Sequence, residues 1–162
     1  MRVAAVLAVL LVAVPAAQAA PPKAGMLRPG AALGGLRLGM SPTEVRQTWG
    51  TRYGVCRGCP QTSWYFTYEL FEPQGAGVSF RAGRVAAVFT LWAPAGWRTN
   101  RGLRIGDEAS RATLLHRGLI RVNCGTYYAL TLNGRAAVTS IYVHDEKVWG
   151  FGLSRPRERV CR

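Results

Sequence analysis

The stretch VSFRAGRVAAVFTLW, residues 78–92, decides the fold, because it places two apolar runs on either side of a short polar turn. Residues 78–80 and 85–92 are rich in the β-branched and aromatic residues that favour strands, and the turn at 81–84 contains a glycine. The pattern predicts a β-hairpin. If Phe80 pairs with Val85, alternation along the strands predicts this set facing the helices: Phe80, Val85, Ala87, Phe89 and Leu91.

The same arrangement occurs again 63 residues further along the chain. Residues 141–143, a turn at 144–147 and residues 148–153 predict a second hairpin. Further strands are predicted at 64–68 and 127–132, upstream of the two hairpins. The chain therefore predicts two sets of about three antiparallel strands.

A glycine-bounded motif precedes each set of strands: GLRLG at 35–39 recurs as GLRIG at 102–106, an offset of 67 residues. A short helix is predicted after the first copy. Ser41 is expected to cap it in a capping box with Glu44, Val45 and Trp49 share its buried face, and Gly50 ends it.

A second short helix is predicted after the second copy of the motif. Asp107 is its expected N-cap, and the expected buried stripe consists of Ala112, Leu115 and Leu119.

These elements predict an α+β fold: two tandem units, each a helix followed by antiparallel strands, share one curved antiparallel sheet with the helices on one face. The predicted organisation is a signal peptide at 1–19, a flexible leader at 20–32, repeat unit 1 at 33–92, a linker at 93–101, repeat unit 2 at 102–154 and a basic tail at 155–162.

A family resemblance rests on a set of cap, core and turn residues: Gly39, Met40, Ser41, Val45, Gly50, Trp64, Tyr65, Phe66, Val78, Phe80, Gly83 and Val85. The pattern resembles that of the β-lactamase inhibitory proteins and of the small outer-membrane assembly lipoproteins. It covers residues 33–92 and, more weakly, 100–154. The resemblance implies a helix pair laid on an antiparallel sheet, and in the inhibitory proteins a tandem repeat whose concave face grips a partner.

The first residues of the chain read as an export signal. Basic Arg2 precedes the apolar run 3–14, and Ala17-Gln18-Ala19 fits a small-x-small cleavage site, so cleavage is expected after Ala19. No cysteine stands near the cut to carry a lipid anchor, and no later stretch is apolar enough to cross a membrane. The protein is expected to be secreted or otherwise extracytoplasmic.

Four cysteines in an exported chain predict two disulfides, for which three connectivities are open. The favoured pairing is Cys56 with Cys59 and Cys124 with Cys161, since the second bond would hold the basic tail against the body. A redox dithiol at Cys56 and Cys59, or a four-cysteine zinc site, are the alternatives.

The chain is strongly basic, with 21 Lys and Arg against 8 Asp and Glu and a net charge of +13. Such a surface attracts an acidic protein or an anionic envelope polymer. All the basic residues except Lys23 and Lys147 are arginine. The nucleotide composition of the gene would also explain this preference for arginine, without selection for a ligand. The arginines are scattered apart from the run in 155–159, so nucleic acid is disfavoured as a partner.

The aromatic residues suggest a binding face. The second hairpin, in the same register as the first, sends Val143 and Val148 inward. The expected binding residues project from the opposite face: Trp149, Phe151, Tyr142, Tyr127 and Tyr65. The alternative is a one-residue slip in register, which would bury these rings in the core.

Titratable residues offer little chemistry. His144-Asp145-Glu146 is the densest cluster, and its position in a predicted hairpin turn favours a solvated turn over a catalytic or metal site. His116 is expected to suit the negative end of the second helix dipole. No catalytic residue, metal or cofactor is predicted. The expected function is a secreted, non-enzymatic binding module; the alternatives are a structural or assembly protein of the cell envelope and a small secreted hydrolase.

Overall fold

The structure, a computed structural model, describes residues 24–67, 75–91 and 96–162. The predicted signal peptide lies outside these residues. Strands make up 47% and helices 12% of the described chain. The protein is therefore mostly β, and the predicted α+β class is wrong.

Eleven strands and two helices form the described chain, in this order: β1 Ala24–Arg28, β2 Ala32–Leu33, α1 Pro42–Trp49, β3 Gly54–Val55, β4 Ser63–Thr67, β5 Gly75–Arg81, β6 Arg84–Leu91, β7 Gly96–Thr99, α2 Ala109–Leu115, β8 Ile120–Asn123, β9 Tyr128–Asn133, β10 Val138–His144 and β11 Lys147–Ser154. An eight-stranded antiparallel sheet has the order β3-β4-β5-β6-β11-β10-β9-β8. Pairing of β6 with β11 joins its two halves. One sheet thus dominates the fold in place of two helix-and-strand units, and the unit boundaries at 33–92 and 102–154 stay predictions.

Helix α1 forms as its sequence predicts. The Ser41 side chain accepts from the Glu44 backbone amide, the Glu44 carboxylate accepts from the Ser41 backbone amide, and Gly50 ends the helix at φ 87°. Val45 and Trp49 are both buried. The capping box is confirmed because local residues alone specify it.

Helix α2 begins differently from the prediction. Glu108 is its N-cap and makes no side-chain capping bond, whereas Asp107 Oδ2 accepts from the Arg104 backbone amide 2.8 Å away, in the turn before the helix. Ala112 is buried, as predicted, and Leu115 and Leu119 are half-buried against the core.

A second, three-stranded sheet occupies much of the predicted leader and linker. β1 pairs with β2 in antiparallel and with β7 in parallel orientation. Trp97 of β7 is fully buried, and a Cβ atom added to Gly25 of β1 would lie 2.4 Å from its ring. The flexible leader, as far as residues 24–32 are concerned, and the linker at 96–99 are therefore corrected to ordered strands that pack into the core.

Both predicted hairpin turns are confirmed. In the first, Ala82 and Gly83 have φ values of 49° and 67°; in the second, Asp145 and Glu146 have φ values of 49° and 55°. Two consecutive residues with positive φ are the mark of a type I′ turn, whose twist matches the twist of paired strands.

Each of these hairpins also contains a bulge, which the sequence analysis missed. Phe80 pairs with Val85 but Ser79 pairs with Ala87, so Ala86 is an extra residue in β6. Trp149 is likewise extra in β11. An extra residue reverses the face of every side chain beyond it.

The bulges divide the side chains between two faces of the large sheet. Phe80, Val85, Val143 and Val148 face the helices as predicted. The following side chains lie on the face opposite to the one predicted: Ala87, Phe89 and Leu91, on the face away from the helices, and Phe151, which is fully buried on the helix side.

Candidate functional site: a cavity beneath the basic tail

Residues 155–162, here called the tail, lie across the face of the large sheet opposite the helices, here called the tail face. The Arg155 backbone amide donates to the Ala86 carbonyl over 2.9 Å. Tyr142 Oη donates to the Val160 carbonyl over 3.0 Å, and Tyr127 Oη donates to the Arg162 carbonyl over 2.7 Å. The tail is therefore held by Tyr142 of β10 and by Tyr127, which directly precedes β9.

Two disulfides are closed, and the favoured pairing is confirmed. Cys56 is bonded to Cys59, and Cys124 to Cys161, which fixes the tail to the residue that follows β8. Closed disulfides of this kind belong to oxidising compartments outside the cytoplasm. They leave neither a zinc-binding thiolate set nor a reduced dithiol at Cys56 and Cys59.

Four of the five predicted binding residues do lie on the tail face. Tyr142 is 1% exposed and Tyr127 is 9% exposed, because the tail covers them. Tyr65 and Trp149 are half-buried at the margins of the same cluster. The fifth, Phe151, belongs to the helix-side core, as described above. The predicted face is thus aromatic, but its centre is covered rather than open.

Trp149 packs within this cluster. Its ring meets that of Tyr127 edge-on, with 4.9 Å between centroids, and lies 5.5 Å from the ring of His144. Such edge-to-face packing stabilises an aromatic cluster beyond the area it buries.

A cavity of about 380 Å³ opens between the tail and strands β4, β5 and β6. The cavity is lined by neutral polar side chains, two aromatic rings, four arginines, one glutamate and one cysteine from each disulfide. The main members are Gln61, Ser63, Ser79, Tyr65, Phe89, Arg81, Arg157, Arg159, Arg162, Glu158, Cys59 and Cys161. The cavity volume lies in the range of small-molecule sites, about 300–1,000 Å³.

Positive charge prevails around the cavity, where four arginines face one glutamate. Glu158 is 5% exposed in its side chain and is already satisfied: Arg81 Nε lies 3.0 Å from one of its oxygens, and Gln61 Nε2 donates to the other over 2.9 Å. The charge of Glu158 is thereby balanced by Arg81. Among the side chains of the lining, the positive charge of Arg157, Arg159 and Arg162 remains in excess.

Arg162 lies over one of the aromatic rings that line the cavity. Its guanidinium carbon lies 5.1 Å from the centroid of the Phe89 ring, so the side chain is held over that ring. Its Nε is buried and has no hydrogen-bond partner within the described residues. The positive charge of Arg162 also acts on the Tyr142 hydroxyl, where it opposes the rise that burial gives to the pKa of that group.

The histidines lie elsewhere and do not form a chemical site. His116 is 2% exposed and its Nε2 lies 3.2 Å from Thr99 Oγ1. Burial lowers the pKa of His116, and nearby Arg101 lowers it further, so it is not the positive partner of the α2 dipole that the sequence suggested. His144 Nδ1 lies 3.1 Å from a carboxylate oxygen of the exposed Asp145, in the hairpin turn. Over residues 24–67, 75–91 and 96–162, no three His, Cys, Asp or Glu side chains form a group that could hold a metal ion.

Sequence reasoning missed most of the cavity. The basic run 155–159, which includes Glu158, stands out in the sequence, but no motif there assigns Ser63, Ser79 or Gln61 to a binding site. The two serines alternate with apolar residues along β4 and β5, and only a register that includes the bulges would have placed them with Phe89 on the tail face.

Comparison with known proteins identifies a fold likeness and no family. No family model matches the chain, and no curated protein matches it. Among solved structures, the chain is similar to an extracellular protein containing an SCP domain from Bacillus anthracis, with a TM-score of 0.52 and 10% identity. The match covers 74% of this chain and 44% of that protein's chain, so the chain spans less than half of its length. At this identity the likeness concerns the fold alone.

No helix in the part of the chain that the structure describes is long and apolar enough to cross a membrane.

Proposed function

We propose that this protein is a secreted binding module, and that its tail-covered cavity receives an acidic group of a partner protein or of an envelope polymer. The observation that carries the proposal is the excess of arginine side chains around the cavity, given that the one carboxylate side chain there is already paired with Arg81. Arginine presents a planar set of donors that matches carboxylate and phosphate oxygens.

The position of the arginines supports recognition rather than general solubility. Arg157, Arg159 and Arg162 belong to a segment held by a disulfide and by two tyrosine hydroxyls. Because the segment is already ordered, a ligand would not have to supply the free energy of ordering it. The backbone that carries these arginines is therefore already in place before a ligand binds.

Export is part of the proposal. The disulfides are those of an oxidising compartment, and a signal peptide at 1–19, cleaved after Ala19, would deliver the chain there. Kinship with the β-lactamase inhibitory proteins also stays a proposal. It is supported by reciprocal hydrogen bonds between motif segments: Gly39 N–H donates to Val85 O, and Val85 N–H donates to Met40 O, each over 2.8 Å.

A binding assay with two anionic polymers tests the proposal. Poly-glutamate and polygalacturonate are immobilised, and the mature protein is passed over each at about 10 mM and about 150 mM salt, where the Debye length is ~30 Å and ~8 Å. We expect binding to at least one polymer that weakens with salt. The double variant Arg157→Gln/Arg159→Gln should weaken that binding at least tenfold.

A matched control separates the cavity from net charge. Arg117 and Arg135 are also exposed, and neither lines the cavity, so Arg117→Gln/Arg135→Gln removes the same charge elsewhere. If both double variants lose affinity equally, binding follows net charge alone and the cavity proposal fails. Absence of binding to either polymer at low salt would also overturn it.

A further inference from the structure

The lining of the cavity contains more than arginine, and its neutral groups indicate what kind of acid enters; this step rests on the proposed function. Ser63 and Ser79 lie in the lining and are 4% and 5% exposed, with their hydroxyl oxygens 2.9 Å apart. They are neighbours on paired strands. They form a fixed pair of hydroxyls on the tail face.

The hydrogen-bond capacity of this pair favours a ligand that donates. Ser63 Oγ donates its hydrogen to the Gln61 carbonyl over 3.2 Å. Each hydroxyl has one hydrogen, so in that arrangement Ser79 donates to Ser63 and the lone pairs of Ser79 remain as acceptors. Gln61 donates one Nε2 hydrogen to Glu158, which leaves its second N–H as a donor and its Oε1 as a further acceptor. This part of the cavity therefore presents acceptors to a ligand.

A carboxylate alone does not fit both parts of the lining. An ionised Asp or Glu side chain accepts hydrogen bonds but donates none, so it satisfies the arginines and leaves the serine and glutamine acceptors unused. A ligand that carries hydroxyl groups as well as a carboxylate satisfies both. The half-buried ring of Tyr65 supplies an apolar wall beside them. The cavity, at about 380 Å³, is also larger than one carboxylate requires.

We infer that the cavity takes a sugar acid: a ring that bears several hydroxyls and one carboxylate. Its carboxylate lies at the arginines, its hydroxyls donate to Ser79 and Gln61, and its C–H face packs on Tyr65. Such a ring is the repeating unit of acidic polysaccharides and also exists as a free monosaccharide.

Calorimetric titration of the mature protein with four probes tests this. They are trigalacturonate, triglutamate at equal charge, the uncharged galactose trisaccharide and the galacturonate monomer. We expect trigalacturonate to bind at least tenfold more tightly than triglutamate, and the uncharged trisaccharide to bind at least tenfold more weakly. Trigalacturonate binding more tightly than the monomer supports a polysaccharide as the source of the ligand, and equal affinities support the free sugar acid.

Two variants assign the recognition to the residues named. Ser79→Ala should weaken trigalacturonate about fivefold, the scale of one neutral hydrogen bond, and leave triglutamate unchanged. Ser110→Ala, an exposed serine of α2 outside the cavity, is the control and should change neither. Thermal unfolding of both variants shows whether Ser79→Ala still folds; if it does not, Tyr65→Leu is titrated in its place with the same expectation.

The failures can be told apart. Triglutamate binding as tightly as trigalacturonate would overturn the sugar-acid inference and leave the proposed acidic-group binding intact. If the uncharged trisaccharide binds as tightly as trigalacturonate, the carboxylate is not recognised and the sugar-acid inference is wrong. If neither acid binds, both the inference and the proposed function are wrong.

Discussion

Gly150 lies at the junction of the large sheet, and its replacement by alanine tests the register on which the site depends. It pairs with Leu91 of β6 on one side and with Tyr142 of β10 on the other. A Cβ atom added at Gly150 would lie 1.9 Å from the Thr90 carbonyl oxygen and 2.9 Å from the Thr90 carbonyl carbon. The clash is with backbone, which cannot move aside as a flexible side chain can.

The loss of stability follows from the separation of β6 and β11 that the added methyl group forces. Overpacking a well-packed site costs about 1–3 kcal/mol, and each backbone group left without its partner when β6 and β11 move apart costs about 1–3 kcal/mol more. We therefore expect Gly150→Ala to lower the free energy of unfolding by roughly 3–5 kcal/mol, a large share of the 5–15 kcal/mol that a domain has. At about 3 °C per kcal/mol, the Tm falls by roughly 10 °C or more.

A matched variant makes the result interpretable. Gly54 is also a strand glycine, in β3 at the edge of the sheet, with nothing within 4 Å of an added Cβ. Gly54→Ala should change stability by less than about 0.5 kcal/mol. Urea and thermal unfolding of both variants decide the matter. Equal stabilities would refute the pairing of β6 with β11 at this register, and with it the single eight-stranded sheet.

Two further predictions concern the tail and His116. Tyr142→Phe leaves the Val160 carbonyl without its donor, so it should lower the free energy of unfolding in urea by about 1–2 kcal/mol and speed tryptic cleavage after Arg157 and Arg159. In the control variant Tyr128→Phe, the lost hydroxyl bonds Glu146 instead, so tryptic cleavage of the tail should be unchanged. Equal cleavage rates in the two variants would contradict the role of Tyr142 in holding the tail. Burial lowers the pKa of His116 below its ordinary value of 6.5. As the pH falls below about 6.5, the unfolded chain therefore takes up a proton at His116 that the folded chain does not. The free energy of unfolding falls with pH for this reason, until the pH passes the pKa of His116 in the folded protein. Comparison of Tm against pH with His116→Gln should show this loss only in the parent, and parallel curves would exclude His116 as the cause.

Features set by neighbouring residues could be predicted from the sequence. The capping box of α1 requires only Ser41 and Glu44 three residues apart, and the hairpin turns require only short polar segments between apolar runs. The Cys56–Cys59 bond likewise joins near neighbours. In each case the interaction that stabilises the feature lies within a few residues, so the pattern of residue types carries it.

Features set by distant contacts could not be predicted in this way. β1 was read as a flexible leader because its partner strand, β7, lies about 70 residues away and pairs with it in parallel. A short Pro- and Gly-rich segment has no signal of its own for such a pairing. The strand is ordered by its pairing with β7 and by burial of Leu27 in the same core as Trp97, which only the folded chain brings together.

The bulge at Ala86 links these errors to the site. Without it, Phe89 would face the helices. With it, Phe89 reaches the tail face, where it lines the cavity with Tyr65 and lies beneath Arg162. Gly77 pairs with Phe89 and has no side chain; a Cβ there would meet the ring at 2.3 Å, so the glycine makes room for the ring on the tail face. The extra residue in β6 thus determines that Phe89, rather than its neighbours, lies on the tail face beneath Arg162.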